Sequence, residues 1–552
     1  MFVANPSIFG DELIYWSMAR NFHHGLPLVA FNVHFDIPTQ LYPLLISPLF
    51  AAGDSTVVYP LVKLVSCLMF CSVVFPAYFL ARELLTYQES LLVALLSLLV
   101  PGGVYSATVM AENLYYPFFV LTAWLSYRAL YRGRWGDSSL AGLAFAATYY
   151  AKPHVLFLMA AYGIALSIWL LIAILRAPSL HAGIRQSLPG LLYRSIPFAV
   201  FALSLAIRVW ELAGYGHSLA DILFGHFYAG GFHVSKHLPF AAFLESGTWL
   251  LVVLTISTAW LPVLAMIESA FCWKRFADAH RWFWVFSSCA ALIFLVMIAR
   301  YNVLNDAFLR SHERYIFQLS PLLFTWYFAS RRLLSSRWLF PVAGLFVIAT
   351  SLALARSSSV LTWSSASDAP TFTGVFWARL RHPTGELMLL ALLLCGGLLC
   401  LLAAASARPR RLFAGWAAFL IVCNIGWYGF QLTTIQHIVK PFSEFAWKLK
   451  VATPPSATIG FLQDQADIRA AWYANFWLPQ PMYYYGDKEQ TYWFVAPITR
   501  APDGALNFGR PRPQLILAAD SLVLPYNVIR EFPELRLRLY QVPTLTEMKS
   551  PK

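Results

Sequence analysis

Charge is what this chain has least of. Only 12% of its 552 residues are Asp, Glu, Lys or Arg, while 59% are hydrophobic. That balance excludes a soluble globular protein, whose charged share is about 25%. Cysteine is sparse too. The seven (Cys67, Cys71, Cys272, Cys289, Cys395, Cys400 and Cys423) fall in apolar runs or in a loop assigned to the cytoplasm, so no disulfide framework is indicated. They stand at no metal-type spacing with His or carboxylates and read as helix-packing residues. Met1–Phe9 holds no Lys, no Arg and no apolar core, which excludes a signal peptide or a spanning helix in that stretch. There is no internal repeat and no low-complexity tract. The net charge of +13 would suggest a polyanion partner in a soluble domain, but here its distribution matters more than its sum, and no nucleic-acid ligand is expected.

What the chain does have is long apolar runs, about twelve of spanning or near-spanning length. They are Val57–Leu80, Leu91–Met110, Leu114–Tyr131, Leu140–Tyr150, Val155–Leu175, Ile196–Leu212, Thr248–Ile267, Trp282–Ile298, Tyr315–Phe328, Trp338–Leu354, Leu387–Ala405 and Leu412–Leu432. Leu41–Ala52 is apolar but broken by Pro43 and Pro48, which suits a helix lying at the membrane interface. Lys and Arg collect in alternate loops: Arg82; Arg128, Arg132 and Arg134; Arg176, Arg185 and Arg194; Lys274, Arg275 and Arg281; Arg331, Arg332 and Arg337; Arg408, Arg410 and Arg411. The positive-inside rule puts these in the cytoplasm and the intervening loops outside. Met1 then falls outside with no helix to carry it there, so an apolar run of ~20 residues is expected upstream of it.

The expected fold is an all-α polytopic membrane protein with a small C-terminal extracytoplasmic α/β domain. Residues 1–56 form the first outward loop with interfacial helices, 57–435 the transmembrane domain and 436–552 the outward domain. In that last part Phe442–Lys450 reads as helix, and Thr458–Leu462, Tyr492–Ala496, Leu515–Ala519 and Leu535–Val542 as strands. The aromatic-rich patch Trp472–Tyr485 and the Pro-Gly loop Ala501–Pro513 lie between them.

The outward loops share a set of polar residues. Asp11 and Glu12 occupy the first, Glu112 and Asn113 a short turn, Lys152-Pro153-His154 the next turn, and Arg310-Ser311-His312-Glu313-Arg314-Tyr315 a later one. Each has an ordinary explanation. Asp11 and Glu12 suit a solvated loop or a helix start, Glu112 a cap, Lys152 a snorkel to the interface, and Arg314 a pairing with Glu313. Their recurrence on one membrane face also suits a substrate linked to a lipid phosphate. Cations there would hold the phosphate and stabilise charge as it leaves. One carboxylate would take a proton from an attacking hydroxyl. A second would orient the acceptor or hold a divalent metal.

The pattern Gly10-Asp11-Glu12-x-x-Tyr15, with Ala19-Arg20-Asn21-Phe22 and Gly25, resembles the first periplasmic loop of GT-C superfamily glycosyltransferases. These include the protein O-mannosyltransferases, the lipid A aminoarabinose transferases and related bacterial and mycobacterial enzymes. Glu112-Asn113, Lys152-Pro153, and Arg314-Tyr315 with Pro321 match further positions, so the resemblance spans roughly residues 10 to 330. It implies transfer of a hexose or pentose from a polyprenyl-phosphate donor to a cell-envelope acceptor, at the outer face of a bacterial cytoplasmic membrane. Asp11 would be the catalytic carboxylate, with Glu12 and Glu112 as further acidic residues of the site. Lys152 and Arg314 would contact lipid phosphate, and Tyr15, Asn113, His154, Arg310, His312 and Tyr315 are candidate substrate contacts. Asp11 and Glu112 are the expected ligands of any Mg or Mn ion. Family members start with a cytoplasmic N-terminus and a membrane helix ahead of the Asp-Glu loop, and this chain shows neither.

Two other classes fit the composition. A transporter or flippase of lipid-linked sugars would share the spans but place its ionisable residues at mid-membrane depth. A non-catalytic scaffold binding cell-wall polymer would not need Asp11 or Glu12. The topology is directly testable: cysteines introduced at Ser55 and Ser456 should both react with an impermeant thiol reagent applied from outside. Reaction at either position only after permeabilisation would overturn the assigned orientation.

Overall fold

The computed structural model of the chain describes residues 5–7, 10–26, 29–30, 33–35, 37–212, 219–225, 239–304, 312–331, 336–356, 370–371, 373, 385–405, 408–463, 466–478, 482–486, 495–500, 505–508 and 512–543. Helix α1 (Gly10–His23) opens on Asp11 and Glu12 and closes on Arg20 and His23, the charge order that a helix dipole favours. A two-residue hairpin of β1 (Val29–Ala30) and β2 (Val33–His34) follows. Next come α2 (Leu41–Ile46) and a 3-10 turn, Ser47–Ala52. This pair buries Tyr42, Ile46 and Phe50 and exposes Leu44 and Leu45, as a helix lying along an interface does.

Asp54 caps α3 (Ser55–Cys71) by accepting from the Thr56 amide, and α4 (Val74–Arg82) continues the rod past Ser72. A reciprocal capping box between Thr86 and Glu89 starts α5 (Tyr87–Leu99). The expected span Leu91–Met110 is not straight. Val100, forced out of helical geometry by the following proline, has ψ 142°, and the chain bends by 56° into a 3-10 segment at Pro101–Ala107. Then come α6 (Glu112–Arg132), α7 (Trp135–Ala151), α8 (Val155–Leu175), α9 (Leu180–Leu212) and α10 (Leu219–Phe224). Gly133, at φ +61°, ends α6 in the left-handed conformation.

The expected span Thr248–Ile267 also breaks, into α11 (Phe240–Ser257) and α12 (Leu261–Phe271). Ala259 and Trp260 both take positive φ there, each a conformation that costs about 1–3 kcal/mol. The Trp260 side chain offsets that strain: it is fully buried, packs 5.2 Å from the Phe419 ring and donates to Thr350 Oγ1. Helices α13 (Asp278–Leu304), α14 (Ser320–Ser330), α15 (Ser336–Arg356), α16 (Gly385–Ala405) and α17 (Pro409–Phe430) complete the bundle.

Among the described residues, six helical segments are long and apolar enough to cross a membrane: 55–82, Val155–Leu175, Leu180–Trp210, Phe240–Ser257, Asp278–Leu304 and Pro409–Ala452. The bent pair at α5 would make a seventh. The expected runs Trp338–Leu354 and Leu387–Ala405 lie in α15 and α16, each 21 residues long. The chain is a multi-pass membrane protein. Where α4, α6 and α7 meet, arginines pair with carboxylates: Arg128–Asp137 at 2.6 Å and Arg132–Glu83 at 2.6 Å.

The last span does not end where the outward domain was expected to begin. A π-helical turn at Gln431–Ile435 joins it to α18 (Gln436–Ala452), so the C-terminal domain grows out of a continuous helical rod. Among the described residues it holds seven strands, β3 (Ile459–Leu462), β4 (Met482–Gly486), β5 (Val495–Arg500), β6 (Leu506–Phe508), β7 (Leu515–Ala519), β8 (Asn527–Phe532) and β9 (Leu537–Gln541), in the order β6-β5-β4-β3-β7-β9-β8. The central four are parallel and the three outer ones antiparallel to their neighbours. The aromatic patch resolves into α19 (Ile468–Trp477) and β4; the sequence reading separated neither.

Helix α7, which ends just before Lys152, packs on α9 through a small residue. A Cβ at Gly142 would lie 2.6 Å from Val200 Cβ and 3.2 Å from Pro197 Cα, whereas one at Gly136 would meet nothing within 4 Å. Gly142→Ala should therefore lower stability by about 1–3 kcal/mol, while Gly136→Ala should not. Thermal midpoints in detergent report the difference, and equal midpoints would contradict this packing.

Candidate active site

The bundle end beneath α1 gathers residues from four separated segments. Glu112 begins α6 and Lys152 follows α7, and their side chains meet at 2.5 Å with almost no solvent exposure. Asp11, in the first turn of α1, accepts from Arg314 at 2.9 Å. The Tyr315 ring lies between the two cations, 4.8 Å from Lys152 Nζ and 4.7 Å from the Arg314 guanidinium carbon. Arg314 also donates to the Tyr315 hydroxyl at 2.7 Å. The His154 ring stacks on Tyr315 at 4.7 Å and the His312 ring at 5.1 Å. Two ion pairs thus share one aromatic wall, where cation–π attraction adds to the Coulomb term.

Electrostatics follow from burial. Lys152 is held below the usual ammonium range chiefly by desolvation, which Glu112 opposes. His154 is pushed well down by burial and by the neighbouring Lys152, Arg314 and His312, so its imidazole is neutral. Tyr15 is pushed up by burial and then by the Asp11 and Glu112 carboxylates. Glu112 Oε2 is buried and accepts no hydrogen bond among the described residues. It is therefore an acceptor available to a substrate hydroxyl or a water.

Glu12 lies elsewhere. It is fully buried, and its carboxylate accepts from the Val109 amide at 3.0 Å, which ties α1 to the turn just before Glu112. Asp11 and Glu12 are consecutive on a helix, about 100° apart around its axis, and cannot face one target. Asn113 is also buried; its amide donates to the Tyr105 and Thr108 carbonyls, so it holds the same turn. His312 is buried against the Asn302 side-chain carbonyl oxygen, and Asn302 donates in turn to Ser246 at 3.0 Å. Arg310 lies outside the described residues. Arg314 does not pair with Glu313, the simple alternative above. Glu313 is buried and accepts from the Thr371 amide at 2.9 Å and hydroxyl at 2.6 Å.

Sequence reasoning did not single out Asn302, Ser246 or Thr371. A lone Asn in the last turn of an apolar span was the available signal for Asn302; Thr371 carried none. For a divalent ion the residues fit poorly. Asp11 and Glu112 each face a cation, and the described residues contain no group of three His, Cys, Asp or Glu side chains able to hold a metal.

Residues 51–192 match the family model described as dolichyl-phosphate-mannose-protein mannosyltransferase. No curated protein sequence matches the chain. Among solved structures, ArnT from Cupriavidus metallidurans in the apo state aligns at a TM-score of 0.56 and 13% identity, covering 97% of this chain and 94% of that one. The same protein bound to undecaprenyl phosphate aligns at 0.57 and 13% identity, over 98% and 94%. At this identity the likeness is one of fold.

The Glu313 carboxyl generates a pH dependence. Burial raises it from 4.5 to about 7, a shift that the Thr371 hydrogen bonds only moderate. The folded chain then keeps a proton that the unfolded chain releases, so this contribution is complete below pH 4.5 and declines as pH rises towards 7. Thermal midpoints in detergent should fall across that window, and Glu313→Gln should flatten the fall. Parallel profiles for parent and variant would contradict the assignment.

Proposed function

We propose that this chain, which has the GT-C fold of the membrane glycosyltransferases, transfers a sugar from a polyprenyl-phosphate carrier to a cell-envelope acceptor. The observation that carries the reading is the pairing of two carboxylates with two cations around Tyr315, at the bundle end beneath α1. The fold match to a protein that has been solved with undecaprenyl phosphate supports the carrier class. The loop charges support an active site on the outer face of a bacterial cytoplasmic membrane. A transporter is disfavoured because the ionisable cluster sits at helix ends, where α6 begins and α7 stops.

In this reading the donor phosphate engages Arg314 and Lys152 beside Asp11. The acceptor hydroxyl approaches the anomeric carbon. Its proton passes to the Asp11 carboxylate as its oxygen bonds to that carbon. The anomeric C–O bond to phosphate breaks, and the electron pair stays on the phosphate oxygen, where Arg314 and Lys152 stabilise it. Glu112, held by Lys152, offers Oε2 to a sugar or acceptor hydroxyl. Tyr315 and His154 line a cavity beside the ion pairs, with Tyr15 close to the Asp11 and Glu112 carboxylates, and Glu12 and Asn113 hold the turn that carries Glu112. The acceptor is a glycan, lipid or protein, and the sugar a hexose or pentose.

The test uses purified protein in nanodiscs with a labelled polyprenyl-phosphate sugar and counts label on acceptor. Asp11→Asn should lower transfer by about a hundredfold or more while leaving donor binding intact. Arg314→Ala and Lys152→Ala should weaken donor binding. Transfer by Asp11→Asn at the parent rate would refute the base assignment, and unchanged donor affinity in both cation variants would refute the phosphate site.

A further inference from the structure

Helix α1 carries Asp11 at one end, and its other end is held by the C-terminal domain. Trp16 and Arg20 are four residues apart and so project from the same face of α1. Both reach the carboxyl end of α19, whose last carbonyls have no partner within their own helix. Trp16 Nε1 donates to the Phe476 carbonyl at 3.1 Å, and its ring stacks on the Phe476 ring at 4.2 Å. Arg20 donates to the Asn475 carbonyl at 3.2 Å, to the Leu478 carbonyl at 2.9 Å and to Asn475 Oδ1 at 2.8 Å. A guanidinium at a helix carboxyl terminus also meets the negative end of its dipole. Burial lowers Arg20 to about 10, so it remains charged. Asn475, fully buried, is itself tethered to the sheet through the Tyr484 hydroxyl at 3.3 Å.

We infer that Arg20 is a positioning residue: by capping α19 it fixes α1 along its axis and so sets where Asp11 stands against Arg314. Asp11 is nine residues from Arg20, about 13 Å along a rigid helix. Phe50 at 4.7 Å and Tyr59 at 6.1 Å hold Trp16 from the membrane-domain side, which makes it the pivot between the two ends. A shift at Arg20 is therefore passed to Asp11 rather than absorbed between them. The C-terminal domain is in this sense part of the active site, although none of its described residues is paired with the four charged side chains. The inference rests on the reading of Asp11 as the base.

Four proteins decide it: parent, Arg20→Ala, Asp11→Asn and the double variant, each assayed in nanodiscs for turnover and for binding of the unglycosylated polyprenyl phosphate. Arg20→Ala should lower turnover between about tenfold and a hundredfold, the scale of a misplaced catalytic group. It should leave carrier affinity within about twofold of the parent, because Arg314 and Lys152 are held from other segments. In the Asp11→Asn background Arg20→Ala should cost nothing further, since a base that is absent cannot be misplaced. Arg20→Lys keeps the charge and much of the packing while losing the two-pronged contact, and should lie between parent and Arg20→Ala. Asn475→Ala, made on the other domain, should reproduce the direction of the Arg20 effect. Losses that multiply in the double variant would overturn the inference, as would an unchanged Arg20→Ala turnover or a loss matched by an equal loss of folded protein. An Asp11→Asn variant at the parent rate refutes the base assignment instead, and that arm alone separates the two failures.

Discussion

Two opposite charges withdrawn from water must find each other, and the Glu112–Lys152 pair imposes that condition on the whole fold. Each ion loses several kcal/mol of hydration when buried, and removing one partner from such a pair costs about 3–5 kcal/mol. Both residues are essentially sealed from solvent. Because removing either partner would strand a buried charge, the pair ties the start of α6 to the end of α7. The aromatic residues of that end pack around this contact. Tyr315 lies over Lys152, His154 and His312 stack on Tyr315, and Arg314, adjacent to Tyr315 in the chain, is placed to reach Asp11.

The position of α1 is over-determined in the same way. Asp11 is tied to Arg314, Glu12 to Val109, Trp16 to Phe476 and Arg20 to the end of α19. These four contacts reach three different parts of the chain. A short helix is marginal by itself in water, so α1 owes its order to these ties rather than to its sequence. That suits the base role proposed for Asp11 in its first turn, since geometry held from several sides resists small displacements.

Much of this was legible in the sequence, and the limits of legibility are physical. Apolar length gave Val155–Leu175 to the residue, because a single uninterrupted run has one reading. The bend after α5 was signalled by Pro101-Gly102-Gly103 but outweighed by the hydropathy of the run. The break at Ala259 and Trp260 had no such signal, because neither residue favours positive φ and tertiary burial of the indole imposes it. Strands β4, β6 and β8 were missed: β4 adjoins a helix equally rich in aromatics, β6 is three residues long, and β8 is an edge strand exposed at five of six positions. The candidates Asp11, Glu112, Lys152, His154, Arg314 and Tyr315 do come together, but who pairs with whom was not readable. Asp11 and Arg314 are 303 positions apart, and local logic favoured Arg314 with its neighbour Glu313. The separate placement of Asp11 and Glu12 follows from helical periodicity alone, once that stretch is known to be helix and not loop.

Under the proposed function, the base and the phosphate-binding cation Arg314 are each other's partners. At rest two carboxylates balance two cations, so the cluster is neutral and can be buried. A donor phosphodiester brings one negative charge. In the proposed transfer the acceptor proton would neutralise Asp11 while the departing phosphate gained a second negative charge, so the net charge of the cluster would not change. Negative charge leaves one partner of Arg314 and arrives on another. In a low-dielectric site, moving charge between two partners of one fixed cation is far less costly than creating an unpaired ion. Lys152 cannot play that part equally well, because its pairing with Glu112 is the contact that holds α6 to α7. Arg314, with its Asp11 pair at a partly exposed edge and a planar fork that suits carboxylate and phosphate alike, is the cation whose partner can change.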